Sequence, residues 1–482
     1  MKRNNWIAMT LILVLLLGVL TGCKASSDSS GEENSHSNTN ELWIETTPPE
    51  KRMTDKEKAF YLFNENLESF SSYTVDMTLS AAGVMQGMPF SVTGSGKLIV
   101  IDTPTEVFYY DDAIERIDVG NGTAVQDIVV KSGYVNGKMF SYQSVNGEAD
   151  GVYSELTDSD WRAYAKEKEE DEALTLSDEM VGSVTLTVTA EGYTATFTDF
   201  TEKGLSKMKR AYGDMSSVIG DDPSDIEITI SVDAWKKPLC MTVAFLYEAE
   251  TGTNAPTFVI EGVYRDVNRT APIAVDLSGY RNVGNLRVIE RAERELGKIM
   301  SASAATWECY ESREIWQGAT QLSASDVTVN ASFTDGKDGY RFTLTDSKGG
   351  KARYENGVMY SQSAGAQEQS MTCTEQAARS YLNETYVDFA KLNVHRVFEV
   401  KPTQNDYKII LSDVDLSNFD AILSAFSATE NDVRNVWGFV SVKIKDGNLA
   451  YLFYRVNFDI LTSQGTISVD YVKEIVPIQY TE

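Results

Sequence analysis

Apolar residues recur along this chain in two rhythms. Behind Thr54-Asp55-Lys56-Glu57, which has the spacing of a capping box, Phe60, Phe63, Leu67 and Phe70 follow at helical intervals and predict one face of an amphipathic helix. The rhythm then shortens. Tyr73 to Leu79, Phe90 to Val92, Lys97 to Ile101 and Glu106 to Tyr110 are β-rich runs punctuated by Gly and Pro, as in an antiparallel meander.

The same succession returns in the second half of the chain. Tyr134-Val135-Asn136-Gly137-Lys138-Met139-Phe140-Ser141 recurs as Tyr354-Glu355-Asn356-Gly357-Val358-Met359-Tyr360-Ser361. Asn-Gly is a strong signal for a two-residue hairpin turn, because both central residues need positive φ. The helix face maps onto Ile289, Ala292, Leu296 and Ile299. Arg162 and Tyr164 meet Arg379 and Tyr381, and Tyr193 and Asp199 meet Tyr407 and Asp413. The offset falls steadily from 229 at the helix to 210 at Val232 and Val442, with the order unchanged. That describes two copies of one domain with small deletions in the second. The predicted division is a first copy over 53–280 and a second over 281–482, each large enough for its own core.

Several strands read as apolar on both faces. Leu449, Tyr451 and Phe453 alternate with Leu452, Tyr454 and Val456; Met241, Val243 and Phe245 alternate with Ala244 and Leu246. A sheet covering a core on one side only would alternate with polar residues. The second face needs a cover, which packed helices or an apolar ligand could each supply.

Ahead of all this lies Lys2-Arg3, an apolar run from Trp6 to Leu20, and then Leu20-Thr21-Gly22-Cys23. The run has signal-peptide length, and its end resembles the lipobox of bacterial lipoproteins. That resemblance implies cleavage of residues 1–22 and a diacylglycerol on Cys23. It implies an extracytoplasmic chain anchored to the outer face of the bacterial cytoplasmic membrane. Residues 23–52 are rich in Ser, Asn, Asp, Glu and Thr, and predict a disordered tether spanning roughly 30 Å as a flexible coil. The net charge of −28 becomes about −30 once Lys2 and Arg3 are removed. Such an excess excludes nucleic acid as a partner and keeps the folded body off anionic lipid.

The order of elements resembles the LolA-like half-barrels, the periplasmic lipoprotein carriers and the LppX-like mycobacterial lipoproteins. The resemblance rests on architecture and on no shared motif. It implies an α+β fold: two tandem copies of a curved antiparallel sheet, each wrapped on helices and enclosing an apolar cavity for acyl chains. Met241, Val243, Phe245, Leu449, Tyr451 and Phe453 are the candidate walls of those cavities.

Candidate chemistry is sparse. The histidines are His36, in the tether, and His395, so any Ser-His-Asp or Cys-His arrangement would have to be built around His395. Cys240, Cys309 and Cys373 lack zinc spacing, although Cys309 and Cys373 could pair. The acidic turns at Asp221-Asp222 and at Asp335 to Gly339 lack the twelfth-position Glu of a calcium loop. Asp199 and Asp413 each precede a helical stripe as candidate caps. The sequence thus predicts a non-catalytic, membrane-anchored lipoprotein with no cofactor and no metal, taking an apolar or amphipathic, lipid-like ligand. The alternative is an envelope interaction or sensor protein with filled cores and a protein partner.

Overall fold

The computed structural model describes residues 53–481, apart from 65–69, 86–87, 119–124, 173–174, 191, 206–207, 209–222, 248–254, 256, 301, 337–338, 387–391, 404–405, 446–447 and 477–478. The leader, Cys23, the tether, Leu67 and Asp221-Asp222 lie outside the described residues. The chain divides into two compact units, Met1–Arg281 and Asn282–Glu482. Strands dominate both, so the architecture is mostly β with few helices rather than an even α+β mixture.

Unit 1 opens with α1 (Asp55–Asn64) and the strands β1 (Ser72–Met85), β2 (Met88–Asp102), β3 (Val107–Asp118), β4 (Gln126–Val135), β5 (Lys138–Val145) and β6 (Glu148–Glu155). Helix α2 (Asp158–Glu172) follows, then β7 (Val181–Val188), β8 (Gly192–Phe200), β9 (Asp225–Asp233), β10 (Pro238–Leu246) and β11 (Thr257–Arg265). The two-residue β12 (Arg281–Asn282) ends the succession. Unit 2 opens with α3 (Leu286–Met300) and runs through β13 (Ala304–Gln317), β14 (Thr320–Gly336), β15 (Gly339–Asp346), β16 (Lys351–Glu355), β17 (Val358–Gln362) and β18 (Gln369–Thr372). Then come α4 (Glu375–Tyr386), β19 (Val397–Pro402), β20 (Tyr407–Leu411) and α5 (Asp420–Ala425). The last strands are β21 (Val433–Lys445), β22 (Asn448–Thr462), β23 (Gly465–Ile475) and β24 (Gln479–Thr481).

Each unit builds one large, open, curved antiparallel sheet on the same plan. In unit 1 the order is β6-β5-β4-β3-β2-β1-β11-β10-β9-β8-β7, and in unit 2 it is β18-β17-β16-β15-β14-β13-β23-β22-β21-β20-β19. The first strand of each unit therefore joins a meander that leaves it to a meander that returns to it. Within each outgoing meander an Asn-Gly turn reverses the chain. Asn136 and Gly137 adopt φ of 50° and 76°, and Asn356 and Gly357 adopt 52° and 76°. The flanking pairs are Val135 with Lys138 and Glu355 with Val358.

Both helices that start the units bury an apolar stripe. In α3 it is the expected one, with Ile289, Ala292 and Ile299 fully buried and Leu296 nearly so. In α1 the capping box forms, Thr54 N–H donating to Glu57 Oε2 at 2.6 Å and Glu57 N–H to Thr54 Oγ1 at 3.2 Å. Its fully buried residues are Ala59 and Leu62, one step round from the predicted stripe. Phe60 and Phe63 rest half-buried against Phe197, at ring-centroid distances of 5.6 and 5.7 Å. The Phe197 ring on β8 thus takes Phe63 edge-on and Phe60 at a tilt.

The helix after each outgoing meander is tied to its sheet by an arginine. Arg162 Nε on α2 donates to Asp102 Oδ1 at 2.9 Å, and Arg379 Nη2 on α4 donates to Asp335 Oδ2 at 2.6 Å. Both aspartates sit at the end of the second strand of their unit.

Candidate functional site

The six predicted cavity residues separate into two groups. Met241, Val243, Phe245 and Leu449 are 3, 1, 2 and 1 % exposed. A tunnel wide enough for an acyl chain would leave its walls open to a water-sized sphere, so these four are core residues rather than cavity walls. The first three belong to one packed cluster with Ala59, Leu62 and Phe197, and Phe245 meets Phe258 edge-on at 5.8 Å. Their cover is the protein itself. The opposite side of β10 is part-exposed, with Leu246 at 39 %.

Tyr451 and Phe453 do not share a face with Leu449, which corrects the predicted alternation. The β21–β22 register slips between Lys443 and Ile444, pairing Lys443 with Tyr451 and Ile444 with Leu449. This bulge at Ala450 puts Leu449 on the core face with Leu452 and Tyr454 and turns Tyr451 and Phe453 outward, where they are half-buried. A second slip, between Arg434 and Trp437, holds Asn435 at φ 54° and pins it through Nδ2 to Asp459 Oδ2 at 2.8 Å. Beyond it Gly438 faces the core, and Trp437 and Phe439 face out.

The two bulges together assemble an aromatic line on the outer face of unit 2. Trp437, 43 % exposed, meets Phe439 edge-on at 5.3 Å, and Phe439 stacks on Phe453 at 5.8 Å. Lys408 lays its ammonium over Phe439 at 3.8 Å and over Trp437 at 5.5 Å. Arg455 and Asp470 close one side with a bidentate pair, 3.0 and 2.7 Å. Burial beside Glu474 and Asp406 pushes the Tyr451 hydroxyl up to about 12, so it stays a hydrogen-bond donor. Phe398 (55 %) and Val436 (41 %) of the same unit are exposed as well. Sequence reasoning missed Trp437 and Phe439. Their signal was the run Val436-Trp437-Gly438-Phe439, where a glycine between two aromatics leaves both on one face.

The outer face of unit 1 is covered where it is equally apolar. Ile99, Ile101, Phe108, Tyr110 and Phe140 form a second cluster under Val275, Leu277 and Tyr280. A Cβ at Gly151 would lie 2.8 Å from the Tyr280 ring, so only glycine admits that cover.

Inside the sheets two polar groups stand out. Glu115 on β3 is 3 % exposed, and its Oε2 has no hydrogen-bond partner. Burial alone pushes its carboxyl up to about 8. In unit 2, Glu311 and the buried Lys473 are cross-strand partners beside Cys309 and Tyr471. Burial, with Glu311 adding to it and Lys473 opposing, raises the Cys309 thiol to about 11, which leaves it protonated and unreactive.

His395 sits in a 3-10 turn, Val394–Arg396, ahead of β19, with its backbone N–H held by Asn393 Oδ1 at 2.9 Å. Cys240, Cys309 and Cys373 are all free thiols, so Cys309 and Cys373 do not pair. Asp199 and Asp413 do not act as the caps. Thr201 Oγ1 accepts from Gly204 N in unit 1, and Asp415 Oδ1 accepts from Ser417 N in unit 2. Among the described residues no group of three or more His, Cys, Asp or Glu could hold a metal ion. Among them, too, no helix is long and apolar enough to cross a membrane.

No family model matches the chain, and no curated protein matches it in sequence. Among solved structures it is similar to a LolA superfamily protein from Nitrosomonas europaea, at 9 % identity over 40 % of this chain and 92 % of that one, with a TM-score of 0.17. It is also similar to a double mutant of transferrin-binding protein B from Haemophilus parasuis, at 7 % identity over 85 % and 76 % of the two chains, with a TM-score of 0.15. A third is a DUF3598-family protein of unknown function from Nostoc punctiforme, at 7 % identity over 88 % and 100 %, with a TM-score of 0.12. Likeness at these scores carries no argument about what the chain does.

Proposed function

We propose that this chain is a non-catalytic lipoprotein, anchored through Cys23 to the outer face of the cytoplasmic membrane, that works by docking an envelope protein on unit 2. The observation that carries this reading is the half-exposed aromatic line Trp437, Phe439 and Phe453 with Lys408 on it. Burying such an apolar patch is a main source of association energy, and aromatic residues are enriched at the centres of interfaces. The matching surface on the partner would be apolar at its centre and carry a carboxylate to meet Lys408. A tether of residues 23–52 would let the acidic body stand off the bilayer while it searches for that partner.

Of the two functions the sequence left open, packed interiors support the one without a stored acyl chain. Native mass spectrometry of a Cys23→Ser protein, extracted gently from its own cells, tests this directly. The expected mass is that of the polypeptide alone. A co-purifying lipid released only on unfolding would return the interior-ligand reading and remove this one.

A further inference from the structure

The sheet of unit 1 ends at β7, and no described strand lies on its far side. We infer that this edge is where two copies of the chain join, β7 pairing antiparallel with β7 across a two-fold axis to make one continuous sheet. The inference concerns unit 1 and does not rest on the docking face of unit 2.

An open edge is a row of unpaired N–H and C=O groups, and proteins that must stay apart guard it. Three of the outermost meander strands are guarded. β6 is paired on its outer side by β12. β18 is only four residues long. β19 carries Glu399 and Lys401, ends in Pro402, and gives its Val400 N–H to the Val283 carbonyl at 2.8 Å. The remaining one, β7, reads Val181-Gly182-Ser183-Val184-Thr185-Leu186-Thr187-Val188, eight residues with no charge and no proline. The two acids that lead into it are matched by lysines, Asp178 by Lys56 at 2.8 Å and Glu179 by Lys203. In a chain of net charge −28, that makes β7 a strand along which two copies can meet without like charges face to face.

The register of that meeting follows from the ladder. Thr189 N–H donates to the Gly192 carbonyl at 2.8 Å across the β7–β8 turn, and antiparallel ladders alternate between bonded and non-bonded pairs. Ser183, Thr185 and Thr187 therefore bond to β8, opposite Thr198, Thr196 and Thr194, while Gly182, Val184, Leu186 and Val188 aim their N–H and C=O outward. A two-fold axis at Thr185 sets Val184 opposite Leu186 and Gly182 opposite Val188 of the second copy, so outward groups meet outward groups. It also keeps like with like on each face. Val184 and Leu186 pack against the core of unit 1, and Val188, 68 % exposed, continues their row. On the other face Thr185 would meet Thr185, extending the hydroxyl row of Thr185, Thr196 and Thr229 on β7, β8 and β9. The strand thus complements itself on both faces, as an isologous contact requires, and this favours a second copy over a foreign strand.

Sedimentation velocity on the full mature chain, kept soluble by Cys23→Ser, tests the contact between about 1 and 200 µM. A monomer–dimer equilibrium is expected. Val188→Pro removes an outward N–H that β8 does not use, at an exposed position, and should weaken the dimer about tenfold. Thr185→Lys and Thr185→Glu each set like charges opposite one another at the axis, and each should sediment as a monomer. Mixed in equal amounts, these two variants should restore the dimer, which unfolded variants could not do. A monomer for the unaltered chain across the range, a dimer that persists in both Thr185 variants, or a mixture that stays monomeric would overturn the assignment. A monomer carrying another protein that Val188→Pro releases would give the edge to a foreign strand and overturn it equally.

Discussion

Glu115 is a carboxyl group in a row of apolar neighbours: Leu79, Gly94, Glu115 and Ile128 are successive partners across β1, β2, β3 and β4. The glycine makes room, since a Cβ at Gly94 would lie 3.5 Å from Glu115 Cγ. Unfolded, this carboxyl ionises near its ordinary 4.5; folded, it holds its proton up to about 8. The folded state therefore loses stability as pH rises from about 4.5 towards 8 and loses no more above that. The full difference is about 5 kcal/mol. Glu115→Gln should flatten that slope and raise the melting temperature at pH 8 while changing little at pH 4.5. Thermal melts of both proteins across this range check it, and parallel pH profiles would show that Glu115 is not the group responsible. Nothing in the sequence marked this residue, because a Glu between Ile114 and Arg116 looks like any exposed strand position until the register puts it inside.

At the scale of elements, the parts that depend on neighbours in sequence were legible and the parts that depend on neighbours in space were not. The Asn-Gly turns and the α3 stripe follow from local rules, and the structure has them where the spacing puts them. The bulges at Ala450 and at Asn435-Val436 are set by the partner strand. A strict two-residue alternation therefore placed Leu449 with Tyr451 and Phe453, and it hid the aromatic line. The core role of Met241, Val243 and Phe245 was equally out of reach, because a strand sequence does not say what covers it. Two consequences are measurable by urea unfolding. Gly357→Ala should cost about 1 kcal/mol, since φ of 76° suits glycine. Arg379→Lys should cost about 1–2 kcal/mol, because an ammonium cannot hold Asp335 and Glu375 together as the guanidinium does, at 2.6 and 2.8 Å, while also lying over the Tyr340 ring at 3.9 Å. An unchanged midpoint for Arg379→Lys would show that the tie between α4 and the sheet carries no energy.

For the whole molecule, the proposed lipid anchor at Cys23 would carry two units of one sheet plan, the first with its apolar outer face covered and the second with an aromatic line left open. The proposed anchor is testable apart from the rest: Cys23→Ser should move the protein from the membrane pellet to the extracytoplasmic soluble fraction with its melting temperature unchanged. The docking claim is tested most directly by site-specific photocrosslinking in intact cells, with a benzophenone amino acid in place of Trp437 and, as control, in place of Leu322, which is 45 % exposed in the same unit. The account predicts a discrete protein adduct from position 437 that is absent from position 322 and disappears when Phe439→Ser and Phe453→Ser are added. The same products from both positions, or none from 437, would contradict it.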